Sequence, residues 1–253
     1  MENENKIRIN HLNLFIGKQQ ILKDINIIIP ENKITVILGP SGCGKTSLLK
    51  CMNRLTDIYH DMKVNGQIIL DGEDLLHTTN DITAIRMKMG LLSQKPYPLP
   101  MSIYHNIAYG LKLKGIKNRK DSDMMVEQYL KQVNLWEEVR DRLKEPAVRL
   151  SIGQQQRLCL ARGLAVDPEI ILADEPTSSL DPISSKIIEE NFMQLKSNYT
   201  IVMVTHILRQ ARRIADYVIF MYMGEVVEQG YAEDFFENPK MERTQSYLSG
   251  MFN

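Results

Sequence analysis

Apolar residues change their period several times along this chain, and each change marks an element. Lys6 to Leu14 and Gln20 to Ile29 alternate or cluster β-branched residues, with Gly17-Lys18 between them, which predicts an antiparallel pair joined by a turn. Ile34 to Leu38 is apolar at almost every position, the pattern of a strand buried on both faces, and Thr46 to Leu55 then takes helical spacing. Gly66 to Leu70, closed by Asp71-Gly72, predicts a further strand and a tight turn. Three prolines between Pro96 and Pro100 interrupt this texture, and Ile103 to Leu113 and Asp121 to Leu135 follow with helix-like periodicity. Ile170 to Ala173 and Thr200 to Val204 read as buried parallel strands flanked by helical sequence. The expectation is one α/β domain over 1–253, with a core of about 1–94 and 150–253 and a helical insert of about 95–149. No internal repeat and no low-complexity tract interrupts it.

Chemistry enters directly after the first buried strand. Gly39-Pro40-Ser41-Gly42-Cys43-Gly44-Lys45-Thr46 lies between that strand and a helix that continues through Ser47, which predicts a phosphate-binding loop for a nucleoside triphosphate. Glycines let the backbone turn its N–H groups toward phosphates, and the helix start adds the positive end of its dipole. Lys45 is expected to reach the β and γ phosphates, and the Thr46 hydroxyl to hold Mg²⁺. Cys43 reads as a small filler within the loop.

A second cluster, Ile170-Ile171-Leu172-Ala173-Asp174-Glu175, ends a buried strand in two carboxylates, at the strand end where open α/β sheets place ligands. Asp174 is the expected Mg²⁺ partner, through water, and Glu175 the group that polarises an attacking water. Alone, this could be a solvated acidic turn; beside a phosphate loop it reads as catalytic.

Composition narrows the setting. Lys plus Arg total 31 and Asp plus Glu total 31, so no excess of charge argues for a nucleic-acid partner, and none is expected. The 3 cysteines, Cys43, Cys51 and Cys159, have neither metal nor disulfide spacing, which fits a reducing compartment. The first ten residues are polar and charged, and no apolar run approaches the roughly 18 residues needed to cross a bilayer. Any membrane role must therefore borrow another subunit.

Between the two clusters, Leu150-Ser151-Ile152-Gly153-Gln154-Gln155-Gln156-Arg157 precedes a helix with Leu158, Ala161, Leu164 and Ala165 on one face. By itself this is a polar helix cap with glutamines on a wet face. In this company the chain resembles the ATP-binding subunits of ABC transporters. That resemblance implies a P-loop NTPase (RecA-like) core with an antiparallel β N-terminal subdomain and an inserted α-helical subdomain. It also implies ATP and Mg²⁺ as cofactors and a second copy of the chain as partner, because the signature residues Ser151, Ile152, Gly153 and Gln154 complete the ATP site of the opposite subunit. Gln94, after the apolar run Gly90 to Ser93, matches the lid glutamine that senses Mg²⁺ and the attacking water. His206, after Ile201 to Thr205, matches the switch histidine at the γ-phosphate, and Asp181, in Ser179-Leu180-Asp181, the loop at the dimer interface.

Two departures from the family pattern stand out. Ile152 occupies a position usually held by glycine, and Ile16 stands where an adenine-stacking aromatic is usual, so that either Phe15 shifts to stack on the base or Ile16 packs against it. Within the family the chain is most similar to the ATPases of bacterial high-affinity phosphate importers, through Lys95 to Tyr104, His105 to Gly110, Met52 to Leu55, Gln154 to Arg162, Asp181 to Ser184 and Phe220 to Glu228. That implies two membrane permease subunits, an extracytoplasmic anion-binding protein acting indirectly, and a place on the cytoplasmic face of the cell membrane. Import of molybdate or tungstate is the near rival, and an ATPase of DNA repair or translation a more distant one. A non-hydrolysing regulatory subunit is disfavoured by Lys45, Asp174, Glu175 and His206.

Overall fold

Alternation of buried and exposed positions builds a long hairpin from β1 (Asn5–Ile16) and β2 (Gln19–Pro30), followed by β3 (Ile34–Leu38), which is buried at every position. The computed structural model describes residues 5–79 and 81–250; residues 1–4, the beginning of the polar stretch noted above, lie outside the described residues. The chain continues through α1 (Lys45–Met52), β4 (Met62–Leu70), β5 (Glu73–Asp74), α2 (Ile82–Lys88), β6 (Met89–Leu92), α3 (Ile103–Leu113) and α4 (Arg119–Gln132). Then come α5 (Trp136–Val139), α6 (Ile152–Leu164), β7 (Ile170–Asp174), α7 (Pro182–Leu195), β8 (Thr200–Thr205) and α8 (Leu208–Ile214), and finally β9 (Tyr217–Tyr222), β10 (Glu225–Tyr231), α9 (Ala232–Glu237) and α10 (Glu242–Leu248). Among the described residues no helix is long and apolar enough to cross a membrane.

Two units divide these elements: the chain up to Arg86 together with Lys196 onward, and Met87–Leu195. The first unit holds an antiparallel sheet in the order β2-β1-β4-β5. Its core face changes parity partway along. Ile7 and Ile9 are buried, then Leu12 and Leu14, and on the facing strand Leu22, then Ile25, Ile27 and Ile29. One extra residue in each strand accounts for this: His11 and Asp24 take positive φ of 48° and 49°, the register shifts on either side of Leu12, and His11 Nδ1 lies 2.7 Å from Asp24 Oδ1. The two bulges keep the apolar set on one face while the strands bend.

The same unit carries β3 between β8 and β9, parallel to both, with β10 antiparallel to β9. Ile34, Val36, Ile37 and Leu38 are fully buried, each such side chain contributing roughly 1.5–3 kcal/mol relative to exposure. Gln229 of β10 bridges to the hairpin, donating to Asn26 O at 2.9 Å and accepting from Ile28 N–H at 3.3 Å.

In the second unit β6 and β7 run parallel, and α3 and α4 pack on α6 through Ile103, Ile107, Leu111, Leu130, Leu158, Ala161 and Leu164, all buried. Helix bounds differ from the sequence expectation where side chains intervene. α1 stops at Met52 because Asn53 leaves the helix and Arg54 is left-handed at φ 56°. α4 begins at Arg119, since Asn118 accepts the Lys120 N–H, and the helix expected to reach Leu135 ends at Gln132, before Asn134 turns left-handed at φ 53°.

Candidate functional site

Within the first unit, the pairing of β3 with its neighbours decides which residues meet. Leu38 stands opposite Thr205 of β8 and Phe220 of β9, so the loop that begins at Gly39 and the turn that carries His206 leave the sheet at the same edge. Gly39 and Gly44 adopt φ of 153° and 105°, which side chains disfavour, and a Cβ on Gly39 would also stand 2.2 Å from the Met221 carbonyl oxygen, so the loop's path calls for glycine. Lys45 is buried in this loop and donates from Nζ to Gly39 O and Pro40 O, both at 2.8 Å. Ser41, Gly42 and Thr46 face solvent, and Ser47 is half-buried. His206 is also exposed; its turn is fixed by Thr205, whose hydroxyl donates to Gln210 Oε1 at 2.8 Å and accepts the Ile207 N–H at 3.1 Å.

Cys43 is buried, and that burial pushes its thiol up from the ordinary range against the pull of Lys45. Its backbone carbonyl has a role that the sequence did not disclose. Met223 and Gly224, both at positive φ, form the tight turn between β9 and β10, and Gly224 N–H donates to Cys43 O at 3.1 Å while Gly224 O accepts the Lys23 N–H at 2.8 Å. The turn within the Phe220 to Glu228 segment thus braces the phosphate loop. Phe15 and Ile16 end β1 half-buried, opposite Lys63 and Met62. Ile16 shares its face of the strand with Leu14, whose partner Leu22 lies against Gly44; Phe15 points to the other face.

The second unit assembles the remaining groups around β6 and β7. Leu92 pairs with Ala173, so Gln94 and the pair Asp174–Glu175 leave their parallel strands at one edge. Gln94 is exposed, and the loop before it is held by Gln156, which is fully buried and donates to Ser93 O at 3.0 Å. The glutamines after the signature are therefore not all on a wet face. Glu175 takes positive φ of 44°, unusual for its residue type, and its carbonyl accepts the Ser178 N–H and hydroxyl at 3.1 and 3.0 Å.

Ser151 is the N-cap of α6 in a capping box: its hydroxyl accepts the Gln154 N–H at 3.3 Å, and the Gln154 side-chain oxygen accepts the Ser151 N–H at 3.0 Å. Ile152 stands in the first turn with 54% of its surface exposed. Gly153 is buried for a packing reason: a Cβ there would lie 2.7 Å from Ser184 Cβ and closer still to its hydroxyl. Asp181 holds that hydroxyl at 2.6 Å and accepts the Ile183 and Ser184 N–H groups at 3.0 Å. These hydrogen bonds, Ser184's first, keep the Asp181 carboxyl below the usual carboxylate range. Signature helix and aspartate loop are thereby locked together within one chain.

Among the described residues no three His, Cys, Asp or Glu side chains form a metal cluster. Thr46, beside the glycine loop, and Asp174, at the end of β7, each carry a hard oxygen donor, the type that suits Mg²⁺.

Parallel strands with a lysine-bearing glycine loop at one strand end, and two acids at another, define a P-loop nucleotide-binding protein. The ABC transporter family model matches residues 22–178, and the chain belongs to that family. The match takes in the phosphate loop, Gln94, the signature and both acids; Phe15, Ile16, Asp181 and His206 lie outside it. Among solved structures, cbiO1 from Clostridium perfringens, part of the ABC transporter complex cbiONQ, is 26% identical with a TM-score of 0.80, over 93% of this chain and 92% of that one. The ATP-binding cassette MJ0796, in a dimeric post-hydrolysis state bound to ADP and Pi, is 28% identical with a TM-score of 0.77, over 89% of this chain and 98% of its own. A bacterial Atm1-family ABC exporter with ATP bound shares the fold, at a TM-score of 0.82 and 23% identity, over 99% of this chain and 42% of the exporter.

Proposed function

We propose that this chain is the ATP-hydrolysing subunit of an importer that takes inorganic phosphate across the cytoplasmic membrane. Two copies sandwich two ATP molecules, attached to two permease subunits on the cytoplasmic face, while an extracytoplasmic protein delivers the anion to those permeases. The observation that carries the ATPase reading is the complete phosphate loop on β3, with Lys45 drawn into it. The neighbours add weight, since MJ0796 was captured as a dimer with ADP and Pi and cbiO1 is part of a transporter complex.

Lys45 and the loop amides grip the terminal phosphates, and Thr46 and Asp174, the latter through water, would hold Mg²⁺. Bound there, Mg²⁺ would supply charge neutralisation for the transferred phosphoryl group. Glu175 orients a water for in-line attack on the γ-phosphorus and takes its proton; the bond from that phosphorus to the β-phosphate oxygen breaks, leaving ADP and inorganic phosphate. Gln94 and His206 hold the geometry, and Ser151 and Gly153 of the second copy cover the γ-phosphate. Closing drives the permeases, whose cytoplasmic loops dock on the Gln94 to Tyr104 segment and the helical insert.

Of the two candidate base contacts, Ile16 is favoured by its place on the Leu14 face of β1, the side of Leu22 and Gly44. Ile16→Tyr should then tighten ATP binding several-fold by adding ring stacking of roughly 0.5–1.5 kcal/mol. Unchanged affinity in a fluorescent-nucleotide titration would remove Ile16 from the base contact.

More than half of the surface of Ile152 is exposed in the first turn of α6, so Ile152→Gly removes little packing within the chain and should preserve or raise ATPase activity. Complete loss of turnover would show that the isoleucine is required. The transport reading is tested by purifying the chain with candidate permeases in vesicles and measuring ATP hydrolysis as anion-loaded binding protein is added. Stimulation by phosphate supports it; stimulation by molybdate or tungstate alone rejects phosphate, and hydrolysis indifferent to permeases rejects transport.

A further inference from the structure

A carboxylate in the short helix α5 reaches the signature serine through one intervening side chain. Glu138 forms a two-pronged ion pair with the buried Arg157 of α6, Oε1 accepting from Nη1 at 2.7 Å and Oε2 from Nη2 at 3.1 Å. Arg157 is anchored in turn on Asn134 O. Glu138 Oε2 also accepts from Gln154 Nε2 at 2.8 Å, which leaves the other end of that amide, Oε1, for the Ser151 N–H at 3.0 Å and Arg142 Nη2 at 3.5 Å.

An amide can face two ways, and the capping box tolerates only one of them. Ser151 N–H is a donor and needs the Gln154 oxygen; if the amide turned over, its NH₂ group would face that N–H, donor against donor. With the far end of the amide in water, only the Ser151 N–H and the long contact from Arg142 would oppose the turn. Glu138 prevents it, because an ionised carboxylate accepts and never donates. Burial acts against ionisation of Glu138, but the hydrogen bonds from Arg157 and Gln154 and the charges of Arg157 and Arg142 outweigh it and hold the carboxyl below its usual range.

We infer that Glu138 is a positioning residue for nucleotide closure: it fixes the orientation of the Gln154 amide, and through it the backbone and hydroxyl of Ser151 that meet the second copy's ATP. This inference rests on the proposed nucleotide sandwich and adds to it a residue outside the signature. It also gives the signature's glutamine a task within its own chain, to relay the constraint from α5.

The order of donors and acceptors supplies a test. E138L removes the acceptor at the far end of the Gln154 amide, whereas the amide of E138Q can turn its oxygen to Gln154 Nε2 and Arg157 Nη2 together and gives up only Arg157 Nη1, which keeps Asn134 O. Each is built in full-length E175Q protein, which accumulates the ATP-bound dimer if the sandwich reading holds, and dimer formation is followed by sedimentation against ATP concentration, with thermal unfolding of each variant beside it. Expected is a loss of about tenfold in ATP-dependent dimerisation for E138L, the size of a lost helix cap, with nucleotide binding to the monomer unchanged and dimerisation largely kept in E138Q. Unaltered dimerisation in E138L, a loss in E138Q as large as in E138L, or an equal loss of monomer nucleotide binding overturns the inference. Failure of E175Q alone to dimerise with ATP rejects the sandwich and this inference with it, whereas a dimer indifferent to residue 138 rejects only the inference.

Discussion

Glu175→Gln should slow ATP hydrolysis by roughly 10²- to 10⁴-fold, the range of a lost general base, while ATP stays bound and two copies stay together. The substitution changes little else. Glutamine has the same length and branching, Glu175 keeps a left-handed backbone that the turn through Ser178 imposes, and that turn is built from the carbonyl of residue 175 and not from its side chain. Ground-state contacts survive while the water loses its proton acceptor, so the effect falls on kcat and not on nucleotide affinity. Single-turnover hydrolysis and gel filtration with ATP and Mg²⁺ report both quantities. A wild-type rate in the variant would remove Glu175 from the chemistry.

Lys45→Ala should abolish measurable ATP binding at micromolar nucleotide. The Lys45 ammonium is buried and directed into the loop by the Gly39 and Pro40 carbonyls. Hydrogen bonds from a charged group contribute about 1.5–3 kcal/mol each, so loss of the amine costs about 100-fold or more in affinity. Alanine is a good helix former at the first position of α1, so the fold tolerates the change. Calorimetry with Mg²⁺ and ATP decides it: undiminished heat of binding in a folded Lys45→Ala protein would mean that the phosphates are held elsewhere.

The parts of this molecule legible in its sequence are those where one local rule suffices. Ile34 to Leu38 announced a doubly buried strand because parallel strands are covered on both faces, and the glycine loop announced itself because eight positions satisfy one backbone path. What stayed hidden depends on partners far along the chain. The parity change at His11 and Asp24 is invisible to a period-two reading, since each bulge makes sense only opposite the other. The resemblance gave Gly153 a place in the signature, but its bulk limit within the chain comes from Ser184, thirty-one positions on. Glu138 carried no motif at all, and only the folded arrangement of α5 against α6 brings it to Gln154 and Arg157.

The brace between Gly224 and the Cys43 carbonyl sets an order of assembly during synthesis. Residues 39–46 leave the ribosome early, but the strand that backs them and the turn that ties down their carbonyl are made about 180 residues later. A chain made only as far as the glycine loop thus carries its sequence without the strand that pairs with β3 and the turn that holds the Cys43 carbonyl, and this loop takes its braced form only after residue 224 has been made.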